Sequence, residues 1–212
     1  MAAGLTVVVD YGLCNIDSMA RALEECGAKD VSRSRDPRIV AKADRIVLPG
    51  VGTFAAAMRN IAAFGLLDVI REASVRSVPF LGACLGMQLM ATRGSEAATK
   101  GMAGGLALVD GEVVRLAPAS DEETIPHIGW NEVVAKPSSV LFAGAGESGD
   151  FYFVHSYHLR LSNSGDEAAR TPYCGGFTSA VEAAGRPIFG TQFHPEKSQK
   201  NGFRVLRNFL AV

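Results

Sequence analysis

The sequence predicts a single α/β domain with a mostly parallel central sheet, helices on both faces and extra antiparallel strands in its second half. Short β-branched runs alternate with helix-like segments in the first half, which is the rhythm of βαβ units. Strand-like segments dominate the second half. A length of 212 residues suits one buried core, and no shift in composition marks a boundary. We therefore treat residues 1–212 as one domain.

The first half carries clear start and stop signals for its elements. Glycine commonly follows the last turn of a helix, and proline favours the first helical position. The predicted elements are a buried strand over 5–9, a helix over 15–26 ended by Gly27, a helix start at Asp36-Pro37, a strand over 46–48, a helical region over 53–73 interrupted at Gly65, and a strand over 78–81.

The second half is predicted to be richer in strands. We expect a hairpin over 106–114 that turns at Asp110-Gly111, since this dipeptide favours tight hairpin turns. Residues 101–105 are expected to form a mobile loop. Further strands are predicted over 127–134, 151–159, 176–181 and 188–193, and a final helix from Ser198 to about Ala211.

Composition excludes several classes of partner. The net charge is −1, with 48% hydrophobic and 20% charged residues, so neither a nucleic acid nor a membrane is expected as a partner. The four cysteines lie far apart without a C-x-x-C motif, which argues against a zinc cluster or disulfides and for a reducing compartment. No basic, apolar leader is visible, so we expect a cytoplasmic protein. We expect neither a metal nor a cofactor.

Cys84 stands between Gly82 and Gly86, where a predicted strand gives way to a helix. Glycines permit close approach and unusual backbone angles, and a helix N-terminus offers unpaired N–H groups and a positive dipole end. These features favour the thiolate, the reactive form of cysteine. The turn thus predicts a nucleophile held as α/β-hydrolases hold a serine. A buried structural thiol is the alternative for this motif alone.

A second motif places His194 two residues before Glu196, at the end of a predicted strand. An extended backbone aims both side chains at the same side. A histidine with a neighbouring carboxylate is the pair that activates a cysteine in nucleophilic catalysis. The alternative is a surface histidine beside a solvated glutamate. Together, the two motifs predict a catalytic triad of Cys84, His194 and Glu196.

These motifs resemble the class I, or triad, glutamine amidotransferases. Further segments are similar to the glutaminase subunits of imidazole glycerol phosphate synthase. These segments are Leu48-Pro49-Gly50-Val51-Gly52-Thr53-Phe54, residues 126–131, residues 151–157, residues 194–198 and the opening Asp10-Tyr11-Gly12 with Asn15. The resemblance spans nearly the whole chain and implies a flavodoxin-like fold. Ala83 and Leu13-Cys14 depart from the family pattern, but neither departure affects a side chain that takes part in the chemistry.

In glutamine hydrolysis, Cys84 would attack the side-chain amide, His194 would move the proton and Glu196 would orient the imidazole. The tetrahedral oxyanion needs N–H donors. We expect two backbone N–H groups to be these donors: that of Leu85, next to the nucleophile, and that of Val51, whose glycine neighbours let a peptide turn. At Val51 the alternative is a plain turn that ends a strand. One such donor is worth roughly 3–4 kcal/mol. The resemblance implies that the substrate's α-amino and carboxylate groups are held by Gly52, Gln88, Ser156 and Tyr157, with Glu96 assisting at the amino group.

His155 and His158 form an H-x-x-H, which could suggest a metal ion. Residues three apart on a strand lie on opposite faces, and catalytic zinc normally needs three protein ligands, so no metal site is expected. His127 is expected to be structural. The resemblance implies that the surface meeting a synthase subunit includes Asn15, Trp130, Tyr152 and Lys197.

The resemblance implies a glutaminase that supplies ammonia to a separate cyclase subunit in a heterodimer. That cyclase would make imidazole glycerol phosphate and AICAR in histidine biosynthesis. The chain has no Walker-type phosphate loop and too little length for a barrel, so we do not expect it to perform the synthase step. Three alternatives stay open: a glutaminase subunit of anthranilate, aminodeoxychorismate or pyridoxal phosphate synthase, a free-standing γ-glutamyl hydrolase, and a non-catalytic binding protein.

Overall fold

The computed structural model describes residues 4–99, 101–144 and 148–212. Its strands are β1 (Leu5–Val9), β2 (Asp30–Ser34), β3 (Arg45–Gly50), β4 (Phe80–Cys84), β5 (Arg93–Gly94), β6 (Ala103–Gly104), β7 (Gly111–Arg115), β8 (His127–Ala135), β9 (Ser148–His155), β10 (Tyr157–Leu161), β11 (Glu167–Thr171), β12 (Phe177–Glu182) and β13 (Ile188–Thr191). Its helices are α1 (Ile16–Glu25), α2 (Pro37–Val40), α3 (Phe54–Ala63), α4 (Leu66–Val75), α5 (Leu85–Leu89) and α6 (Gln199–Leu210), with 3-10 turns at Ser164–Asp166 and Pro195–Lys197.

The large sheet has nine strands in the order β2-β1-β3-β4-β13-β12-β11-β8-β9. The pairings from β2 to β13 are parallel, and those from β13 to β9 are antiparallel. The carboxyl ends of β3, β4 and β13 therefore meet at one edge, which is where α/β sheets place ligands. A second sheet has the order β10-β7-β5-β6.

Alternating side chains of the central strands supply two cores, one on each face of the sheet. Val8 of β1 faces a core closed by α1 and α6, which contribute Leu23 and Leu206. Its neighbours Val7 and Val9 face the other core, which is closed by α2 to α5 and by the second sheet. The predicted α/β domain with helices on both faces is confirmed. No helix among the described residues is long and apolar enough to cross a bilayer.

The local signals read from the sequence act as predicted. Gly27 follows α1 with φ +106°. The predicted helix included Asn15, but its side chain instead caps α1 by accepting from the Ser18 amide at 3.4 Å. Asp36 caps α2 through the Arg38 amide at 2.9 Å. Gly65, with φ +68°, separates α3 from α4. The final helix begins after Ser198 and ends before Ala211, also as predicted.

The predicted hairpin over 106–114 is wrong. Residues 106–110 form no strand, and β7 begins at Gly111, where a turn was expected. β7 pairs antiparallel with β10 and parallel with β5, so its partners come from distant parts of the chain. The preceding Leu106 and Leu108 are buried in the core instead, and their amides donate to the carbonyls of Leu89 and Met90. The expected loop over 101–105 contains β6, while Lys100 lies outside the described residues.

The predicted strand over 151–159 is two strands in two different sheets. β9 ends the large sheet and β10 belongs to the second sheet, with Ser156 between them. The nucleophile strand also differs, because β4 begins at Phe80 and runs through Cys84 itself. β2 and β11 were not predicted. Both contain several polar or charged residues, which hide the apolar periodicity of a strand.

Candidate active site

Cys84 ends β4 with φ 52° and ψ −110°, and α5 begins at the next residue. A positive φ is unusual for a residue other than glycine, and such strain costs of order 1–3 kcal/mol. Two glycines make the turn possible. A Cβ on Gly86 would lie 1.7 Å from the Leu48 carbonyl oxygen, and one on Gly82 would lie 2.6 Å from the Gly86 backbone. The helix therefore packs directly on the strands through bare backbone, which places the sulfur at the strand ends.

His194 and Glu196 follow β13, the parallel neighbour of β4. Nδ1 of His194 is 2.9 Å from Oε1 of Glu196, and both side chains are 4% exposed. The carboxylate can only accept, so Nδ1 carries the proton that joins them. Nε2 of His194 is buried and makes no hydrogen bond among the described residues. This nitrogen is the one left free for proton transfer.

Opposing influences set the pKa of His194. Burial alone would lower it, because a charged imidazole loses its hydration. The negative charge of a Cys84 thiolate and that of Glu196 outweigh burial and raise the pKa of His194 above its usual range. The environment thus favours the imidazolium form of His194, the kind of neighbour that a nucleophilic cysteine requires.

A cavity of about 180 Å³ opens over the sulfur. It contains every residue that the sequence analysis assigned to the oxyanion or the substrate. Its lining consists of Val51, Gly52, Cys84, Leu85, Gln88, Glu96, Val154, His155, Ser156 and Tyr157. Segments that are far apart in the chain therefore form one wall, as the resemblance implied.

The two expected oxyanion donors are in different states. Leu85 is the first residue of α5, so its N–H has no acceptor within the helix. The Val51 N–H instead donates to the Leu13 carbonyl at 2.8 Å. Gly50, just before it, has no room for a side chain, because a Cβ would lie 1.8 Å from the Tyr11 hydroxyl. Of these two N–H groups, that of Val51 is therefore engaged outside the cavity lining in this conformation.

Gln88 and Glu96 each use part of their hydrogen-bonding capacity inside the protein. Nε2 of Gln88 donates to the Tyr157 carbonyl at 2.7 Å and to Oε1 of Gln192 at 3.1 Å, and no described residue donates to its own side-chain oxygen. Glu96 accepts from the Phe54 amide at the start of α3 at 3.0 Å, and burial raises its pKa. An amide oxygen and a half-buried carboxyl group in one cavity are suited to hold an ammonium group.

Two residues near the Cys84 sulfur and its cavity escaped the sequence analysis as site residues. His155 lines the cavity, and Gln192 is fully buried with Nε2 3.8 Å from the Cys84 sulfur. A signal for Gln192 was present, because it precedes His194 by two residues and an extended segment points both to one side. No comparable signal existed for His155, since its position depends on the break at Ser156.

Two of the three other histidines, His127 and His155, form a hydrogen-bonded pair of neutral imidazoles. His155 Nδ1 lies 2.9 Å from the Tyr157 carbonyl, which fixes its proton there, and its Nε2 lies 3.0 Å from Nδ1 of His127. Burial lowers the pKa of His127 to about 4 and that of His155 to about 3. His127 also stacks between Phe153 and Tyr173, as expected of a structural residue. Among the described residues, no group of His, Cys, Asp and Glu could hold a metal ion.

Three of the four expected partner-contacting residues form one exposed patch. Trp130 on β8 is 49% exposed and packs edge-on against Tyr152 of β9, with ring centroids 6.1 Å apart. Nζ of Lys197 lies 5.9 Å from the centre of the Tyr152 ring. The fourth, Asn15, caps α1, which contacts the turn that contains Lys197. The Tyr152 carbonyl also accepts from the His194 amide at 3.0 Å, so this patch adjoins the site.

Comparison with known proteins identifies the class that the fold and site define. The model of the class-I glutamine amidotransferase family matches residues 7–212, so the chain belongs to this family. Solved structures agree on the fold. A structure described as a glutamine amidotransferase has a TM-score of 0.73 at 18% identity and 97% coverage of both chains. The structure of PurLQS from Thermotoga maritima likewise gives a TM-score of 0.73 at 18% identity, covering 97% of this chain and 97% of its own.

Curated relatives are more specific within that class. The imidazole glycerol phosphate synthase subunit HisH of Cereibacter sphaeroides is 44% identical over 97% of this chain and 98% of its own length. The subunit of the same name from Aquifex aeolicus is 42% identical over 96% of this chain and 95% of its own length. The chain is therefore similar to these subunits over almost its full length.

Proposed function

We propose that this chain is the glutaminase subunit of an imidazole glycerol phosphate synthase, hydrolysing glutamine and passing ammonia to a cyclase partner in histidine biosynthesis. One observation carries the proposal: the Cys84 sulfur opens into the cavity, with the buried His194–Glu196 pair behind it. The near-full-length similarity to HisH subunits supports this synthase over the other amidotransferase complexes.

The first half-reaction forms a thioester. The Cys84 thiolate attacks the side-chain amide carbon of glutamine, and a carbon–sulfur bond forms as the carbonyl oxygen gains negative charge. The N–H of Leu85 stabilises that oxyanion at the start of α5, where the helix dipole adds to its effect. His194, protonated on Nε2, then gives its proton to the leaving nitrogen. The carbon–nitrogen bond breaks, and ammonia leaves.

The second half-reaction restores the enzyme. Neutral His194 takes a proton from water, which attacks the thioester carbon, and the carbon–sulfur bond breaks to release glutamate and a thiolate. Glu196 holds the imidazole by Nδ1 and stabilises its charged form in both steps. The net reaction consumes glutamine and water and yields glutamate and ammonia. Gly52, Gln88, Glu96, Ser156 and Tyr157 orient the substrate's α-amino and carboxylate groups.

The exposed patch of Trp130, Tyr152 and Lys197, with Asn15 nearby, receives the cyclase subunit. Aromatic side chains left exposed on a folded surface are common anchors of protein interfaces. Ile128, two residues before Trp130 on β8, is 60% exposed and widens the apolar area. A partner seated there would lie beside His194, close enough to receive ammonia without its release into solution.

The experiment uses the complex of this chain with its cyclase and compares glutamine with ammonium salts as the nitrogen source. Cys84→Ala should abolish synthesis from glutamine and leave synthesis from ammonia intact, because Cys84 acts only in producing ammonia. Cys26→Ala is the matched control, since that thiol contacts the Phe203 carbonyl rather than the cavity. An electrophilic glutamine analogue should label Cys84 among the four cysteines.

Two results would contradict the proposal. Equal loss of both syntheses in Cys84→Ala would assign the residue to assembly of the complex. Full glutaminase turnover by the chain alone, with no cyclase bound at any concentration, would favour a free-standing γ-glutamyl hydrolase.

A further inference from the structure

Gln192 occupies a fixed position beside the nucleophile. It follows β13, whose register with β4 pairs Thr191 with Ala83, so Gln192 and Cys84 leave adjacent strands at the same level. Its amide N–H donates to the Ser179 carbonyl at 2.9 Å, which anchors its backbone. Its side chain is fully buried, and Nε2 lies 3.8 Å from the Cys84 sulfur.

The orientation of the Gln192 amide follows from its neighbours. The Tyr157 carbonyl can only accept, so the Gln88 atom 2.7 Å away must be its NH₂ group. The same group then donates to Gln192, which must present its oxygen there, at 3.1 Å. The Gln192 NH₂ is left facing the sulfur. Each amide thus has one assignment that satisfies every partner.

A buried N–H donor affects the two forms of a thiol unequally. A neutral thiol is a weak acceptor, whereas hydrogen bonds to an ionised group are shorter and stronger. Such a donor therefore stabilises the thiolate more than the thiol. The second contact of the Cys84 sulfur, the Val154 carbonyl at 3.9 Å, can only accept and favours the protonated thiol.

We propose that Gln192 is a further catalytic residue, which donates from Nε2 to the Cys84 sulfur and stabilises its thiolate. Gln88 is a positioning residue for this bond, because it fixes the Gln192 amide with its NH₂ towards the sulfur. The catalytic role of Gln192 rests on the proposed glutaminase reaction. It requires only a reactive Cys84 for its test.

The test measures the rate at which iodoacetamide alkylates Cys84 across a pH series, on the full chain, by peptide mass spectrometry. Gln192→Met removes the donor while keeping an unbranched side chain of similar length. The midpoint of its alkylation profile should rise by roughly one pH unit, so that alkylation near neutral pH slows about tenfold. Gln192→Glu keeps the shape, replaces the donor with a carboxylate, and should move the midpoint further in the same direction.

Several titratable groups share this environment and must stay unchanged in the variants. They are His194 and Glu196 on the same segment, Tyr11 after β1, His155 at the end of β9 and Glu96 across the cavity. Thr191→Val is the matched control, because it removes a buried hydroxyl that donates to the Phe193 carbonyl. The midpoint of its alkylation profile should equal that of the unaltered protein.

The outcomes separate this inference from the proposed function. Unmoved midpoints in both folded Gln192 variants would overturn the role of Gln192, even with an active glutaminase complex. Raised midpoints together with a complex that never hydrolyses glutamine would support the role of Gln192 and overturn the glutaminase. Gln192→Glu decides the question if Gln192→Met fails to fold, because it preserves the packing around the cavity.

Discussion

The Val51 amide donates its hydrogen to the Leu13 carbonyl oxygen at 2.8 Å, so one of the two expected oxyanion donors is already engaged. The peptide that carries this N–H joins Gly50 to Val51, and glycine tolerates a wide range of backbone angles. Rotation of the peptide between Gly50 and Val51 would break this bond and free the N–H. In this conformation the Val51 N–H is therefore withheld from the cavity.

The isolated chain should be a slow glutaminase that the cyclase and its bound ligand activate. A missing oxyanion donor raises the barrier by roughly 3–4 kcal/mol, so activation should reach several hundredfold. Steady-state turnover of glutamine by the chain alone, with cyclase, and with cyclase plus ligand measures this. Since coupling between binding sites is reciprocal, a glutamine analogue in the cavity should also tighten binding of the cyclase ligand. Equal turnover in all three conditions would contradict the withheld donor.

Glu196→Gln should reduce glutamine hydrolysis and move the alkaline limb of its pH profile to lower pH. The carboxylate helps to raise the pKa of His194, so its removal makes the imidazolium lose its proton earlier as pH rises. In the proposed reaction, the imidazolium is the acid that protonates the leaving nitrogen, which departs as ammonia. Glu182→Gln is a suitable control, because that carboxylate bonds the 139–141 segment away from the cavity. An alkaline limb that stays in place would show that Glu196 does not act through His194.

The folded protein should lose stability as pH falls below about 6.5, the ordinary pKa of histidine. His127 and His155 take up protons in the unfolded chain there, while burial lowers their folded pKa values to about 4 and about 3. The fully buried His155 alone gives up to about 1.4 kcal/mol per pH unit across that window. Glu123 opposes the shift at His127, and the neighbouring His158 and His194 deepen it at His155.

Urea unfolding at several pH values tests this prediction. His127→Asn should lower stability near neutral pH. It should also weaken the dependence of stability on pH, because the variant lacks one imidazole that binds a proton only in the unfolded chain. His194 does not affect this window, because its raised pKa contributes stability that is complete below about 6.5 and lost only as pH rises through the folded value. A free energy of unfolding that stays constant from neutral pH to about pH 5 would contradict the claim that His127 and His155 stay neutral in the folded protein.

Trp130→Ala should weaken binding of the cyclase and leave the isolated chain equally stable. The ring is 49% exposed, so its removal creates little cavity, whereas aromatic anchors at interfaces often contribute about 2 kcal/mol or more. That loss corresponds to roughly thirtyfold weaker binding in a calorimetric titration. Val75→Ala on α4 is the control, because this side chain is exposed and lies outside the patch. Equal binding by Trp130→Ala would place the interface elsewhere.

The parts of the fold that depend on local chemistry could be predicted from the sequence. Asp36 caps α2, Gly65 separates α3 from α4, and the turn at Cys84 has the strained angle that its glycines suggested. Val51 and Cys84 line one cavity because they lie at the ends of neighbouring parallel strands, whereas the substrate residues in its lining were assigned from the family resemblance.

Features set by distant contacts could not be predicted in this way. The Asp110-Gly111 pair looks like a hairpin turn, but β7 finds its partners in β10 and β5. Ser156 carries no signal that would divide a continuous apolar run between two sheets. The engagement of the Val51 amide by Leu13 depends on two loops meeting, and the contact of Gln192 with the sulfur depends on strand register.

The bare-backbone packing at Gly82 and Gly86 limits how this domain can be re-engineered. Any side chain there would push α5 off the sheet and carry the sulfur with it, so a library aimed at larger amides should hold both positions constant. The wall at Ser156, where the chain passes from one sheet to the other, has no such restriction. Substitutions in that wall would change the shape of the substrate-binding cavity while the reacting sulfur keeps its position.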